Sequence, residues 1–266
     1  MELSEKTILE FIPEFKGIFN IDVYETTSST NTLLKELAKQ GESEGKIVIS
    51  REQTAGRGRL GRSFYSPNGT GIYMSLLLRP KITASEALFI TSSAAVAVAE
   101  AIEVVSKKEA KIKWVNDIFC NNKKVCGILT ESSLSSSGNR NDEINYAVLG
   151  IGINVFHPEN GFNDNIKDIA SSIFDEGTDV SIDIQAKLIA EILRRFWFYY
   201  RDISGKSFLT EYKKRSLLIG KEISIVFGEN IEKAIALGID DECRLKVEMM
   251  DHSVRLLSSG EVSVRI

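Results

Sequence analysis

The sequence predicts an α+β fold: a mixed or antiparallel sheet flanked by helices, followed by a small C-terminal domain of short strands. Three patterns carry that expectation. Apolar, β-prone runs at Lys46–Ser50, Gly71–Leu78, Lys124–Glu131 and Ile144–Val155 are separated by a long helical run and by a hairpin signal at Asn121–Lys123. Helical periodicity returns at Asp183–Tyr200 and Phe208–Lys214. From Lys221 the pattern changes to five short strands, Glu222–Phe227, Ile231–Gly238, Arg244–Met249, Val254–Leu257 and Glu261–Arg265, which suggest a β-barrel-like unit. The expected division is a larger domain over residues 1–217 and a smaller one over 218–266.

Taken in order, Ser29, Thr30 and Asn31 are helix-capping residue types, and Leu33, Leu34, Leu37 and Ala38 then fall at helical spacing. Those three residues read as an N-cap, and a helix N-terminus is also a polar ligand site. Thr83 and Glu86 form a capping-box pattern opening a helix to about Ser106. Ala84–Val105 is the most apolar stretch, but Glu86, Glu100 and Glu103 interrupt it, so it reads as a buried helix and not a membrane span. Lys111–Val115 reads as a strand, Asn116-Asp117 as a turn, and Ser132–Asp142 as a polar loop. Residues 1–20 are too short for a helix-turn-helix domain, and the first residues lack the basic and apolar regions of a signal peptide.

Composition narrows the function. A net charge of −4 excludes a global basic field for nucleic acid, so any anion site must be local. Three cysteines without a CxxC pair and only two histidines argue against a zinc site or a disulfide framework; the thiols read as buried and reduced in a cytoplasmic protein.

The local candidate is Gln53–Pro67, QTAGRGRLGRSFYSP, where Gly56, Gly58 and Gly61 alternate with Arg57, Arg59 and Arg62. Its GxGxxG pattern matches the dinucleotide fingerprint only formally, because a strand and not a helix follows; no kinase HRD or DFG motif follows either. Glycines with cations and no interleaved carboxylate suit a phosphate-bearing ligand, and such a loop is expected to order when that ligand arrives. Two further stretches supply polar groups where a core is expected: Lys113-Trp-Val-Asn116-Asp117 with Lys124 and Gly127, and Gly150-Ile-Gly152-Ile-Asn154. Asp117 reads equally as a turn-former, and Asn154 as a ligand contact or a turn cap.

QTAGRGRLGRSFYSP, KWVNDIFCNNKKVCGIL and LGIGINV, in that order, resemble the biotin–protein ligases, as do Ser29-Thr30-Asn31 and Gly260-Glu261-x-Ser263-x-Arg265. The resemblance spans roughly residues 25–155 and the tail. It implies a class II synthetase-like catalytic domain of the biotin/lipoate ligase type with an SH3-like β-barrel behind it, in the monofunctional form without an N-terminal DNA-binding domain. It further implies activation of biotin by ATP and Mg²⁺ to biotinyl-5′-AMP with release of pyrophosphate, then transfer to a lysine of a biotin carboxyl carrier domain of a biotin-dependent carboxylase. DNA and membranes are not expected partners, while sheet-edge homodimers occur in the family.

By the same resemblance Ser29, Thr30, Asn31, Gln53, Gly56, Arg57, Lys124 and Gly127 would hold biotin. Arg57, Arg59, Arg62, Phe64, Asn116, Lys124, Asn154, Glu261 and Arg265 would hold ATP or the adenylate. Lys113, Lys124, Arg59 and Asp117 would act in catalysis, Asp117 by orienting or deprotonating the acceptor amine. Two positions depart from the family pattern: Val115 stands where proline is usual, and Phe64 where tryptophan is common, which keeps an aromatic face of smaller area. The alternatives are a lipoate–protein ligase, a biotin-responsive regulator and an inactive binding module.

Overall fold

The structure, a computed structural model, describes residues 3–134 and 142–258, and the backbone of residues 262–265. The larger sheet contains β1 (Asn20–Thr27), β2 (Lys46–Gln53), β3 (Gly71–Leu78), β4 (Lys111–Lys113), β5 (Asp117–Cys120), β6 (Lys123–Leu134) and β7 (Ile144–Asn154), in the order β1-β2-β3-β7-β6-β5-β4. β1 pairs with β2 in parallel and every other pair is antiparallel, so the sheet is mixed.

Period-2 alternation makes this sheet two-faced. Val48, Leu77, Tyr146 and Val148 project to one face and bury against Leu34 and Ala38 of helix α2 (Thr30–Lys39), the helix that follows a short α1 (Glu5–Leu9). Ile47, Ile49, Leu76, Leu78, Leu149 and Ile151 project to the other, into the main core beneath α3 (Ala87–Ser106) and α4 (Ile184–Tyr200). Both faces are covered, which is why β3 reads GIYMSLLL with no exposed position. α3 is long and apolar enough to cross a bilayer, but its residues from Phe89 to Ala99 are all buried within the fold.

α5 (Leu209–Lys214) leads to a second, antiparallel sheet of five strands: β8 (Glu222–Phe227), β9 (Asn230–Ile239), β10 (Leu245–Met249), β11 (Val254–Leu257) and β12 (Val262–Arg265), in the order β11-β10-β9-β8-β12. The small β unit expected at the C-terminus is present.

Several boundaries differ from the sequence expectation. The Thr83–Glu86 capping box is formed, but it closes a 3-10 turn over Ala84–Glu86, so α3 starts at Ala87. β6 runs on to Leu134 where a loop from Ser132 was expected. Ser132 and Ser133 pair with Ala147 and Tyr146, a ladder that needs only backbone groups and tolerates polar side chains. β4 ends at Lys113, not Val115, and Asp117 opens β5 instead of sitting in the turn. The Trp114–Val115 peptide between them is cis. The hairpin at Asn121-Asn122 is of the type I′ kind: both residues have positive φ (50° and 61°) and the flanking Cys120 and Lys123 pair.

Cys120, Cys126 and Cys243 are all buried and free. Burial pushes the Cys120 and Cys243 thiols up to about 11 and Cys126 higher still, so almost no thiolate exists at neutral pH. Ellman's reagent is expected to leave all three unmodified in the native protein and to titrate three thiols after denaturation; rapid labelling of the native form would show that these sites open.

Candidate functional site

α2 covers only part of its sheet face. Beyond its N-terminus the face carries Gly127 of β6 opposite Gly152 of β7, with Gly150 two residues away. The missing side chains leave a shallow floor that closes to a cavity of about 30 Å³ among Thr30, Asn31, Gln53, Arg57, Phe64 and Gly152.

The N-terminal turn of α2 forms one wall. Ser29 occupies the N-cap position but makes no side-chain capping bond. Its neighbours face inward: the Thr30 N–H and Oγ1 both donate to Gln53 Oε1 (2.9 and 3.2 Å). The Asn31 amide is consumed within the fold, its Nδ2 donating to Glu131 Oε2 (3.0 Å) and Leu129 O (3.3 Å) and its Oδ1 accepting from Ser75 Oγ (2.6 Å). A Cβ on Gly150 would collide with that Oδ1. Asn31, expected to touch a ligand, lines the cavity while its amide is hydrogen-bonded within the fold, and it is 4% exposed.

The arginine loop closes on itself. Phe64 N donates to Gly56 O (2.9 Å) and Gly58 N to Arg62 O (2.7 Å), so its form comes from its own backbone bonds and not only from an incoming ligand. Leu60 and Gly61 turn the tip through positive φ (55° and 73°). Gln53 Nε2 donates to Ser66 Oγ (3.0 Å), which donates to Phe64 O (3.0 Å), tying the loop's end to the α2 wall. The Phe64 ring lies flat on the floor: a Cβ on Gly152 would stand 2.7 Å from it, and one on Gly127 3.4 Å.

Three of the loop's cations take different places. Arg57 reaches Glu131 (3.2 Å) and is half-exposed. Arg59 turns under the loop, where Nη1 donates to Asn116 Oδ1 (3.1 Å). Burial lowers the Arg59 pKa, against the nearby Asp117, which raises it, and Arg62 adds a further lowering. Arg62 is exposed beside the loop's tip. The far side of the floor carries Lys124, whose Nζ is 2.7 Å from Asp117 Oδ1. Asn116 Nδ2 donates to Ile128 O (2.7 Å), and Lys113 pairs with Asp117 in register while its Nζ stands 5.8 Å from the Phe119 ring. Asn154 Nδ2 donates to Ser171 O (3.0 Å), so this amide holds the 169–173 segment against β7. Of the two C-terminal candidates, Glu261 lies outside the described residues, and of Arg265 only the backbone in β12 is described.

Sequence reasoning missed Ser75 and Glu131. Ser75 is fully buried and 2.8 Å from Thr30 Oγ1; its signal is a lone serine in an otherwise largely apolar strand. Glu131 gathers Asn31, Lys35 (2.9 Å) and Arg57. Burial alone would raise its carboxyl, but the hydrogen bonds from Asn31 and Lys35 and the charges of Lys35 and Arg57 hold it below the ordinary value.

A sequence model of the biotin/lipoate A/B protein ligase family matches residues 23–154, and one of the biotin protein ligase C terminal domain matches residues 218–265. The chain is 37% identical over 249 residues to the bifunctional ligase/repressor BirA of Bacillus subtilis, covering 91% of this chain and 73% of that protein. It is 28% identical over 271 residues to the biotin–[acetyl-CoA-carboxylase] ligase of Mycobacterium tuberculosis, covering 98% and 95%. Among solved structures, the biotin protein ligase from Aquifex aeolicus in complex with biotin and ATP superposes with a TM-score of 0.74 at 27% identity, over 92% of this chain and 98% of that one.

Two outcomes follow from the floor and the wall. Gly152→Ala places a methyl against the Phe64 ring and is expected to destabilise the fold by about 1–3 kcal/mol in chemical denaturation, as overpacking does; adding Phe64→Ala should recover most of that loss, and an additive double variant would show that the two do not touch. Because the Glu131 pKa is depressed, its contribution is fully present above the ordinary carboxylate range and is lost as pH falls through the lower folded value. The melting-temperature gap between wild type and Glu131→Gln should therefore be constant near neutrality and close in acid; a gap unchanged in acid would sink the assignment.

Proposed function

The chain belongs to the biotin/lipoate A/B protein ligase family, and from that premise we propose that it joins biotin to ATP as biotinyl-5′-AMP, releasing pyrophosphate, and passes the biotinyl group to a lysine of a biotin carboxyl carrier domain. The observation that carries this reading is the Lys124–Asp117 pair, set across a glycine floor from the arginine loop. Membership of the biotin branch rather than the lipoate branch is supported by the match of residues 218–265 to the biotin ligase C terminal domain. The relatives named biotin–[acetyl-CoA-carboxylase] ligase support the acceptor class.

The first half-reaction brings a carboxylate against the α-phosphate, two anions that repel. Position and charge neutralisation must supply most of the catalysis. Ser29, Thr30, Gln53 and the Gly56–Arg57 backbone would orient the ring system, while Lys124, with Arg57, Arg59 and Arg62 above it, would balance the charge where carboxylate and phosphate meet. The Phe64 ring, lying on Gly127 and Gly152, has to yield its place or become part of the pocket wall. Magnesium would enter with the Mg–ATP substrate, carried on its phosphates. The mixed anhydride hydrolyses readily, so the loop's closure over it also excludes water.

In the second half-reaction a neutral lysine amine attacks the acyl carbon, the bond to AMP breaks, and the amine gives up a proton. Asp117 is our candidate to orient the amine and take that proton. Its carboxylate is held by Lys124, and the substrate's own anion would compete for that ammonium and release it.

Incubation with biotin, Mg–ATP and a biotin carrier domain should add one biotinyl group, read by mass, and biotin rather than lipoate should drive pyrophosphate–ATP exchange. Exchange driven only by lipoate, or by neither acid, overturns the reading. Asp117→Asn should slow transfer from preformed biotinyl-AMP at least tenfold more than it slows adenylate formation, the range of a lost general base being about 10²–10⁴; equal losses in both steps would reject its role.

A further inference from the structure

The segment between β4 and β5 carries Asn116 and Asp117 into the site, yet its middle residues Trp114 and Val115 are 4% and 1% exposed near the sheet's edge. What covers them comes from the far end of the chain. Tyr212 of α5, fully buried, donates its hydroxyl to Val115 O (2.9 Å). Trp114 Nε1 donates to Cys243 O (2.9 Å), in the turn joining β9 to β10. Alongside, Ile112 N donates to Arg215 O and Leu217 N to Ile112 O (both 2.8 Å), so the connection into the smaller sheet runs paired to β4. The residue after the clamped carbonyl is Asn116, which accepts from Arg59 and donates to Ile128 O. One hydroxyl is thus linked, through one peptide and one amide, to the arginine under the loop.

We propose that Tyr212 is a positioning residue of this enzyme: its hydroxyl on Val115 O fixes the 114–117 turn, and through Asn116 it fixes where Arg59 stands, while the Cys243 carbonyl holds the same turn from the smaller domain. This rests on the reaction proposed above. Tyr212 touches no reacting atom. It acts because the Val115 carbonyl, in a residue 1% exposed, accepts from this hydroxyl, and losing the donor leaves a buried acceptor that favours a shift of the turn. The turn cannot move without moving Asn116.

Tyr212→Phe keeps the ring and removes the hydroxyl. Biotin-dependent pyrophosphate–ATP exchange is expected to fall about tenfold or more in kcat, the effect of moving Arg59 off its place, while biotin affinity measured by calorimetry without ATP stays within about twofold, because the ring wall at Thr30 and Gln53 does not depend on this turn. In an Asn116→Ala background the same substitution should have little further effect on exchange, since the link to Arg59 is already cut. Exchange at the wild-type rate, or losses that simply add in the double variant, overturns the positioning role, as does a variant whose only change is a lower melting temperature. Should Tyr212→Phe not fold, Trp114→Phe, which removes the donor to Cys243 O, must show the same split between exchange and biotin affinity. A wild-type chain inert toward biotin would overturn the reaction itself, which separates that failure from this one.

Discussion

In the proposed reaction the Lys124–Asp117 contact governs how the site would work. Lys124 Nζ stands 3.2 Å from where a Cβ on Gly127 would lie, and the two groups keep 29% and 24% of their side-chain exposure. A pair so open to solvent is worth about 1 kcal/mol or less. That weakness suits it to exchange: an arriving anion can take the ammonium without uncovering a strongly bound partner, and the displaced carboxylate is then available a few ångströms away. A deeply buried pair in the same place would resist such a trade, because removing one partner would strand the other.

Around that adjustable pair the supports are rigid and neutral. Ser75, Thr30, Asn31 and Gln53 satisfy one another beneath the α2 wall, and Gln53 passes the connection to Ser66 and the end of the arginine loop. Networks of this kind tolerate no half-satisfied member, so they fix amide orientations that a surface site would leave free. Glycine plays the complementary part. At 150 it admits the Asn31 amide and at 152 the Phe64 ring, both closer than any Cβ would permit. The site is therefore built as a fixed wall and floor with charges above them that are free to change partners.

Much of this was legible in the chain. The arginine loop, the Lys113–Asp117 segment with Lys124, and the two glycines of GIGIN announced themselves because polar or small residues interrupt apolar strands, and the strand–loop–strand context removed the dinucleotide reading. The Asn121-Asn122 turn followed from the left-handed preference of asparagine. Less legible were the partners. Asn31 read as part of an N-cap by its residue type and as a biotin contact by the family resemblance, and only the sheet beneath it, with Ser75 44 residues away and Glu131 100 residues away, shows what its amide is bonded to. The extension of β6 through Ser132 and Ser133 was hidden for the opposite reason, since backbone pairing leaves no mark on polar side chains.

By itself, then, the sequence determined what is local: the periodicities that make strands and helices, the turns that need left-handed residues, and a loop in which glycines alternate with arginines. The tertiary structure decided which side chains spend their hydrogen bonds on each other, and it brought Tyr212 and Cys243 against the turn that carries Asn116 and Asp117. Those pairings depend on strand register and on packing between segments a hundred or more residues apart, and no spacing rule along the chain encodes a distance that only folding creates.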